Sequence, residues 1–134
     1  MTELELKSFL KENFPKENEN CDWKEYKNLK NSINGSEGDD LVSYVSAFSN
    51  MEGGHIVIGI EDKTFEIVGI QNLHSYNTEN IKLTLVKNCI NLSSENLEIS
   101  EYITSDTKIL LMEVKATIWF LMFLLFLIWK EDIL

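Results

Sequence analysis

Residues Ser46–Ile70, SAFSNMEGGHIVIGIEDKTFEIVGI, decide the fold. Upstream of the double glycine, Leu41, Val45 and Phe48, flanked by Val42, Tyr44 and Met51, recur at helical spacing behind Ser36 and Asp39, which predicts a helix starting near those two polar residues. Gly53 and Gly54 then allow a left-handed residue to close that helix at little steric cost. Ile56, Val57 and Ile58 open a β-branched segment that is nearly all apolar to Ile60, so a strand covered on both faces is expected. Phe65–Ile70 carries Glu66 and ends in Val68-Gly69-Ile70, and the pair reads as a hairpin turning at Glu61–Thr64. A phosphate-cradling loop would precede its helix and face the positive end of the dipole. Here the helix comes first, and neither G-x-G-x-x-G nor G-x-x-x-x-G-K-[ST] occurs, so a nucleotide pocket of that type is not expected.

Further out, Thr2 and Glu5 form a capping-box pattern ahead of Leu6, Phe9, Leu10 and Phe14, and Pro15 stops that helix. Trp23–Lys27 alternates as a strand, and residues 28–39, with Asn34-Gly35 and Gly38, read as a loop. Asn77 or Thr78 caps another helix, with Ile81, Leu85, Val86 and Cys89 on one side; Leu97–Ile103 and Lys108–Val114 read as two more strands. The expected class is α+β, a mixed sheet of about five strands packed with two or three helices.

In order along the chain, Cys21-Asp22-Trp23-Lys24-Glu25-Tyr26-Lys27, Ser46-Ala47-Phe48-Ser49-Asn50, Gly53-Gly54, Ile58-Gly59-Ile60-Glu61-Asp62 and Ile67-Val68-Gly69 resemble the Schlafen AlbA-type domain, a family described as DNA-binding. The resemblance implies an AlbA-like fold over roughly Asp22–Val114, with Asn50, Gly53, Gly54, Gly59 and Gly69 as structural motif positions. It further implies a regulatory module of the kind that opens ATP-binding transcriptional regulators or RecG-like, helicase-related proteins in bacteria. The expected organisation is an N-terminal helix and linker over residues 1–20, the domain over 21–115 and a hydrophobic tail over 116–134.

Charge argues against a strong grip on nucleic acid. The chain has 12 basic and 22 acidic residues, a formal charge of −10, and every basic residue is lysine; arginine, which forks onto guanine and phosphate, is absent. A local patch is needed, and Lys24, Lys27 and Lys30 at three-residue intervals beside Trp23 and Tyr26 are the candidate nucleic-acid-binding residues. Contacts with DNA or RNA are expected to be weak and salt-dependent. The competing reading of the same residues is a solvated strand edge and loop, and a protein partner explains the acidity better.

Some Schlafen proteins cleave RNA with three carboxylates, and the resemblance places Glu25 and Asp62 on two of those positions. The remaining one falls at Asn20, beside Glu19. Losing an anionic ligand weakens any metal site, so a metal-dependent carboxylate nuclease is the weaker alternative, and a divalent metal enters only with it. Otherwise no metal or other cofactor is expected. Cys21 and Cys89, with His55 and His74, make no zinc spacing, and neither histidine has a nucleophile or acid partner legible from spacing. Met1–Phe14 carries Glu3, Glu5, Lys7 and Lys11 where a secretory leader has an apolar core, so a cytoplasmic, reduced setting is the expectation.

The tail reads differently. Ala116–Trp129, ATIWFLMFLLFLIW, is fourteen residues without a charge. As a helix it would reach about 21 Å against a hydrocarbon core of about 30 Å. Trp119 and Trp129 resemble an interfacial belt, which makes membrane association through residues 116–129 the alternative localisation, although a span begun near Ile109 would bury Glu113 and Lys115. The family continues into polar turns and strands where this tail begins, and the asparagine-, lysine- and isoleucine-rich body fits an AT-rich coding sequence. The expectation is a frameshift near Lys115 that truncates a larger regulator; an uninterrupted homologous frame to Leu134 on resequencing rules it out.

Overall fold

Thr2 begins the first helix by accepting a hydrogen bond from the Glu5 N–H at 3.1 Å, and α1 (Glu3–Asn13) buries Leu6 and Leu10 before Phe14 and Pro15 end it. The computed structural model describes residues 1–18, 20–30, 32–34, 40–61, 63–90, 92–117 and 125–130. After α1 come β1 (Cys21–Lys24), α2 (Leu41–Ser49), β2 (Gly54–Ile58), α3 (Thr78–Asn88), a short 3₁₀ turn (Ser94–Asn96), β3 (Leu97–Ile103) and β4 (Lys108–Val114). The four strands form one mixed sheet in the order β1-β2-β4-β3, with β1 parallel to β2 and the other two pairings antiparallel.

The sheet has a helical layer on each side. Ile56 and Ile58 of β2, with Leu110 and Met112 of β4, pack against Leu41, Val45 and Phe48 of α2 and Ile81 and Leu85 of α3. Val57 points the other way, where Trp23, Ile60 and Ile109 meet Leu6 and Leu10. Both faces of β2 are thus covered, as its unbroken apolar run predicts. Asn77 caps α3 through a reciprocal pair, its side chain accepting from the Asn80 N–H at 2.9 Å while Asn80 returns a bond at 2.6 Å.

Several sequence expectations shift. The cap of α2 is Asp40, which accepts from the Ser43 N–H at 3.0 Å; Ser36 and Asp39, with the Gly35–Gly38 stretch, lie outside the described residues. The first strand runs from Cys21 to Lys24 in place of Trp23–Lys27, because the Lys27 N–H bonds back to the Glu25 carbonyl at 2.8 Å and turns the chain. The Phe65–Ile70 segment contributes one bridge, Ile60 to Ile67, and no fifth strand. Both edges of β2 are already taken by β1 and β4. Positive φ at Gly59 (111°), Phe65 (60°) and Gly69 (72°) further folds the segment onto itself.

Gly53 does close α2, with φ +85° and its N–H bonded to the Phe48 carbonyl at 2.9 Å. A Cβ there would sit 2.4 Å from the Val114 carbonyl oxygen, so glycine is required for approach as well as for conformation. The ordered body continues past Val114: the Thr117 N–H donates to the Ser49 carbonyl at 3.0 Å, Thr117 is buried, and Asn96 Nδ2 donates to the Ala116 carbonyl at 3.2 Å. Beyond it, residues 125–130 are helical and Leu125, Phe126, Leu127, Ile128 and Trp129 are exposed; the remainder of the tail lies outside the described residues. Among the described residues no helix is long and apolar enough to cross a membrane.

Candidate nucleic-acid interface

Strand alternation separates the residues that the sequence placed in one patch. Trp23 is buried on the α1 side, its ring 4.5 Å from that of Phe65, and offers no face for a base to stack on. Lys24 points to the other side, with Nζ 3.8 Å from the centroid of the Tyr44 ring on α2 and 3.3 Å from Asp22 Oδ2. Burial pulls the pKa of this ammonium down, but its hydrogen bond to Tyr44 and the attraction of Asp22 outweigh that and hold it above the ordinary lysine value. Tyr26 packs against the core, and Lys27 pairs with Glu25 at 3.1 Å. Lys30 is exposed and makes no ion pair among the described residues.

Of the positions implied for the nuclease alternative, two are described. Asn20 and Glu25 flank opposite ends of β1, five residues apart along extended chain, a separation of about 16 Å. Asp62 lies outside the described residues. Among the described residues no three histidine, cysteine, aspartate or glutamate side chains are grouped so as to hold a metal ion. Cys21 and Cys89 are buried free thiols; burial, helped by the charges of Asp22 and Glu17, pushes Cys21 up to about 11.

What the fold does assemble lies where β1 and β2 begin. The parallel register sets Cys21 beside His55, and the antiparallel one sets His55 beside Glu113. Asn20 is tied to the same corner because its carbonyl accepts the His55 N–H at 2.9 Å. Two open recesses meet there, sharing Asn20 and His55. One, of about 430 Å³, is lined by Asn13, Phe14, Asn18, Asn20, Cys21 and His55. The other, of about 340 Å³, adds Glu52, Gly53, Glu113 and Lys115. The Phe14 and His55 rings stand 5.0 Å apart. Lys16, in the chain between Phe14 and Asn18, and Lys115 are exposed and make no ion pair among the described residues, whereas Lys7, Lys24, Lys27 and Lys108 all have carboxylate partners.

Sequence reasoning passed over this corner. Asn13 and Asn18 read as parts of a helix end and a polar link, Asn20 as the link's end and the remaining position of the carboxylate set, and His55 as a strand opening. The density of asparagine around Pro15 was the one available signal.

A family model described as Schlafen, AlbA_2 matches residues 17–118. An uncharacterized ATP-binding protein of Ureaplasma parvum serovar 3 is 32% identical over 81 residues, 60% of this chain and 23% of that protein, so the match spans under a quarter of the relative's length. Among solved structures, the DIP2311 protein of Corynebacterium diphtheriae aligns with a TM-score of 0.51 at 21% identity, over 72% of this chain and 20% of that one. The N-terminal domain of a RecG-related protein of Nitrosomonas europaea aligns at 0.45 and 14% identity, over 87% and 74%. The ordered motifs from the Glu25-Tyr26-Lys27 stretch to Gly69 and the α+β layering around β2 agree with the family match: this chain belongs to the Schlafen AlbA_2 family.

Proposed function

We infer that this chain is a nucleic-acid-binding module, acting as part of a larger ATP-binding protein of the transcription-regulating or helicase-related kind. The observation that carries the reading is a pair of unneutralised lysines: Lys115 lines the smaller recess, and Lys16 lies in the chain between Phe14 and Asn18, which line the larger one. In a chain of charge −10, a phosphate backbone is tolerated only where cations are not already spent on carboxylates. Lys30, on the loop after β1, likewise makes no ion pair among the described residues, as do Lys11, Lys63, Lys82, Lys87 and Lys130. Family membership supports the same reading, and the ATP-binding relative supports the setting.

With two or three lysines engaged, duplex affinity should fall with salt on a log–log slope of about −2 to −3. Titrating the full chain with DNA and with RNA at two salt concentrations tests this. The Lys16→Glu/Lys115→Glu variant should bind more weakly and lose about two units of the slope while melting at the same temperature. Absence of binding even at low salt overturns the reading. It would favour a protein partner, the role to which the acidic charge and the exposed side chains from Leu125 to Trp129 point.

A further inference from the structure

The larger recess has an unusual balance of hydrogen-bonding groups. Asn13 uses its Nδ2 on the Phe9 carbonyl at 2.8 Å, which leaves Oδ1 open as an acceptor. Asn18 uses its Oδ1 on the Asn20 N–H at 2.7 Å, which leaves its two Nδ2 hydrogens open as donors. Among the described residues, the Asn20 carboxamide and both ring nitrogens of His55 have no hydrogen-bond partner. Donors and acceptors of three asparagines and one histidine are therefore open around a space that the rings of Phe14 and His55 also line, 5.0 Å apart. Among the described residues no carboxylate lines this recess, although the charges of Glu17 and Asp22 act on its one thiol, Cys21, which stays protonated at neutral pH. Its volume, about 430 Å³, falls within the range of small-molecule sites, about 300–1,000 Å³.

That chemistry fits an uncharged, flat, hydrogen-bonding ring joined to an anionic chain. A planar base can pack against the ring of Phe14 or of His55, while an asparagine carboxamide offers the C=O and NH₂ pair that matches N6 and N7 of adenine. The charges around the site order the rest of such a ligand. Lys115 shares the smaller recess with Glu52 and Glu113, whereas Lys16 adjoins the larger one in the chain, where no described carboxylate is part of the lining. A base buried in a duplex cannot present its ring face and its edge to the same corner, but an unstacked base in a single strand can.

We propose that the recess formed by Asn13, Phe14, Asn18, Asn20 and His55 is a nucleobase pocket that takes an unstacked adenine from single-stranded nucleic acid. This rests on the nucleic-acid-binding reading and adds to it the strandedness, the base and the residues that hold it. Asn20 and His55 are the specificity-determining pair because both line the two recesses and neither side chain is committed to a hydrogen bond.

Fluorescence anisotropy of the full chain at low salt, with labelled oligo(A), oligo(U) and an A·U duplex as probes, tests the proposal. The expected result is oligo(A) bound more tightly than either of the others, and an Asn20→Ala chain about tenfold weaker for oligo(A) with little change for the duplex. His55→Ala should act in the same direction. Asn20→Asp, which keeps the shape but removes the amide donors, should weaken oligo(A) at least as much as Asn20→Ala. Both Asn20 variants should keep the parent's melting temperature within a few degrees, since Asn20 is exposed and its side chain holds nothing in place, whereas His55→Ala also loses the ring contact with Phe14 and is read beside its own melting temperature. Salt-dependent binding that is indifferent to strandedness, or to both Asn20→Ala and His55→Ala, overturns the pocket and leaves the nucleic-acid reading standing. Absence of binding to any of the three probes overturns both.

Discussion

At the scale of single residues, Gly53 and Cys21 show how the corner at the start of β2 is built. Gly53→Ala combines φ +85° with a Cβ 2.4 Å from the Val114 carbonyl, and the obstacle is backbone, which cannot rotate away. The expected cost is about 2 kcal/mol or more, read as a lower urea midpoint at unchanged slope. Cys21 makes a pH prediction. Its folded-state pKa, about 11, lies above its ordinary value of 9.0, so between those values the unfolded chain gives up the proton and the folded chain keeps it. Stability should therefore be fully retained below about pH 9 and fall as pH rises toward 11, and Cys21→Ala should make that fall shallower. The same burial should keep Cys21 unreactive toward a disulfide reagent at pH 8 until the chain is denatured.

Among the elements, α2 is the one whose termini carry the most. Asp40→Ala removes the acceptor for the Ser43 N–H and should cost about 1 kcal/mol by thermal melting, with Asp40→Asn recovering most of it. The elements were legible to different degrees for physical reasons. Both strands at the end of the body keep the bounds that alternation predicts, Leu97–Ile103 and Lys108–Val114, because each is local and closes through a short turn in which the Thr104 N–H bonds the Thr107 carbonyl at 2.8 Å. The Phe65–Ile70 segment had the composition of a strand, yet whether it pairs depends on free edges, and β1 and β4 had occupied both. The lysine patch failed to assemble for a reason present in the residues themselves: in an extended segment neighbouring Trp23 and Lys24 must point to opposite faces.

Across the whole molecule the charge of −10 and the exposed helix at residues 125–130 dominate behaviour in solution. Leu125, Phe126, Leu127, Ile128 and Trp129 present apolar surface on every side of one short helix, with the Phe126 and Trp129 rings 6.3 Å apart. Phe126→Glu/Trp129→Glu should reduce self-association in sedimentation and light scattering without moving the melting temperature, because neither side chain belongs to either core cluster. Hydrophobic period, caps and the double glycine made the helices, three of the four strands and the family readable from residue order alone, since each signal spans a few neighbouring positions. Pairing was not readable. The parallel match of Cys21 with His55, which brings Asn13, Asn18 and Asn20 to a histidine far along the chain, arises only when the chain closes on itself. Closure is governed by which edges and faces remain to be buried, and no local window of sequence carries that information.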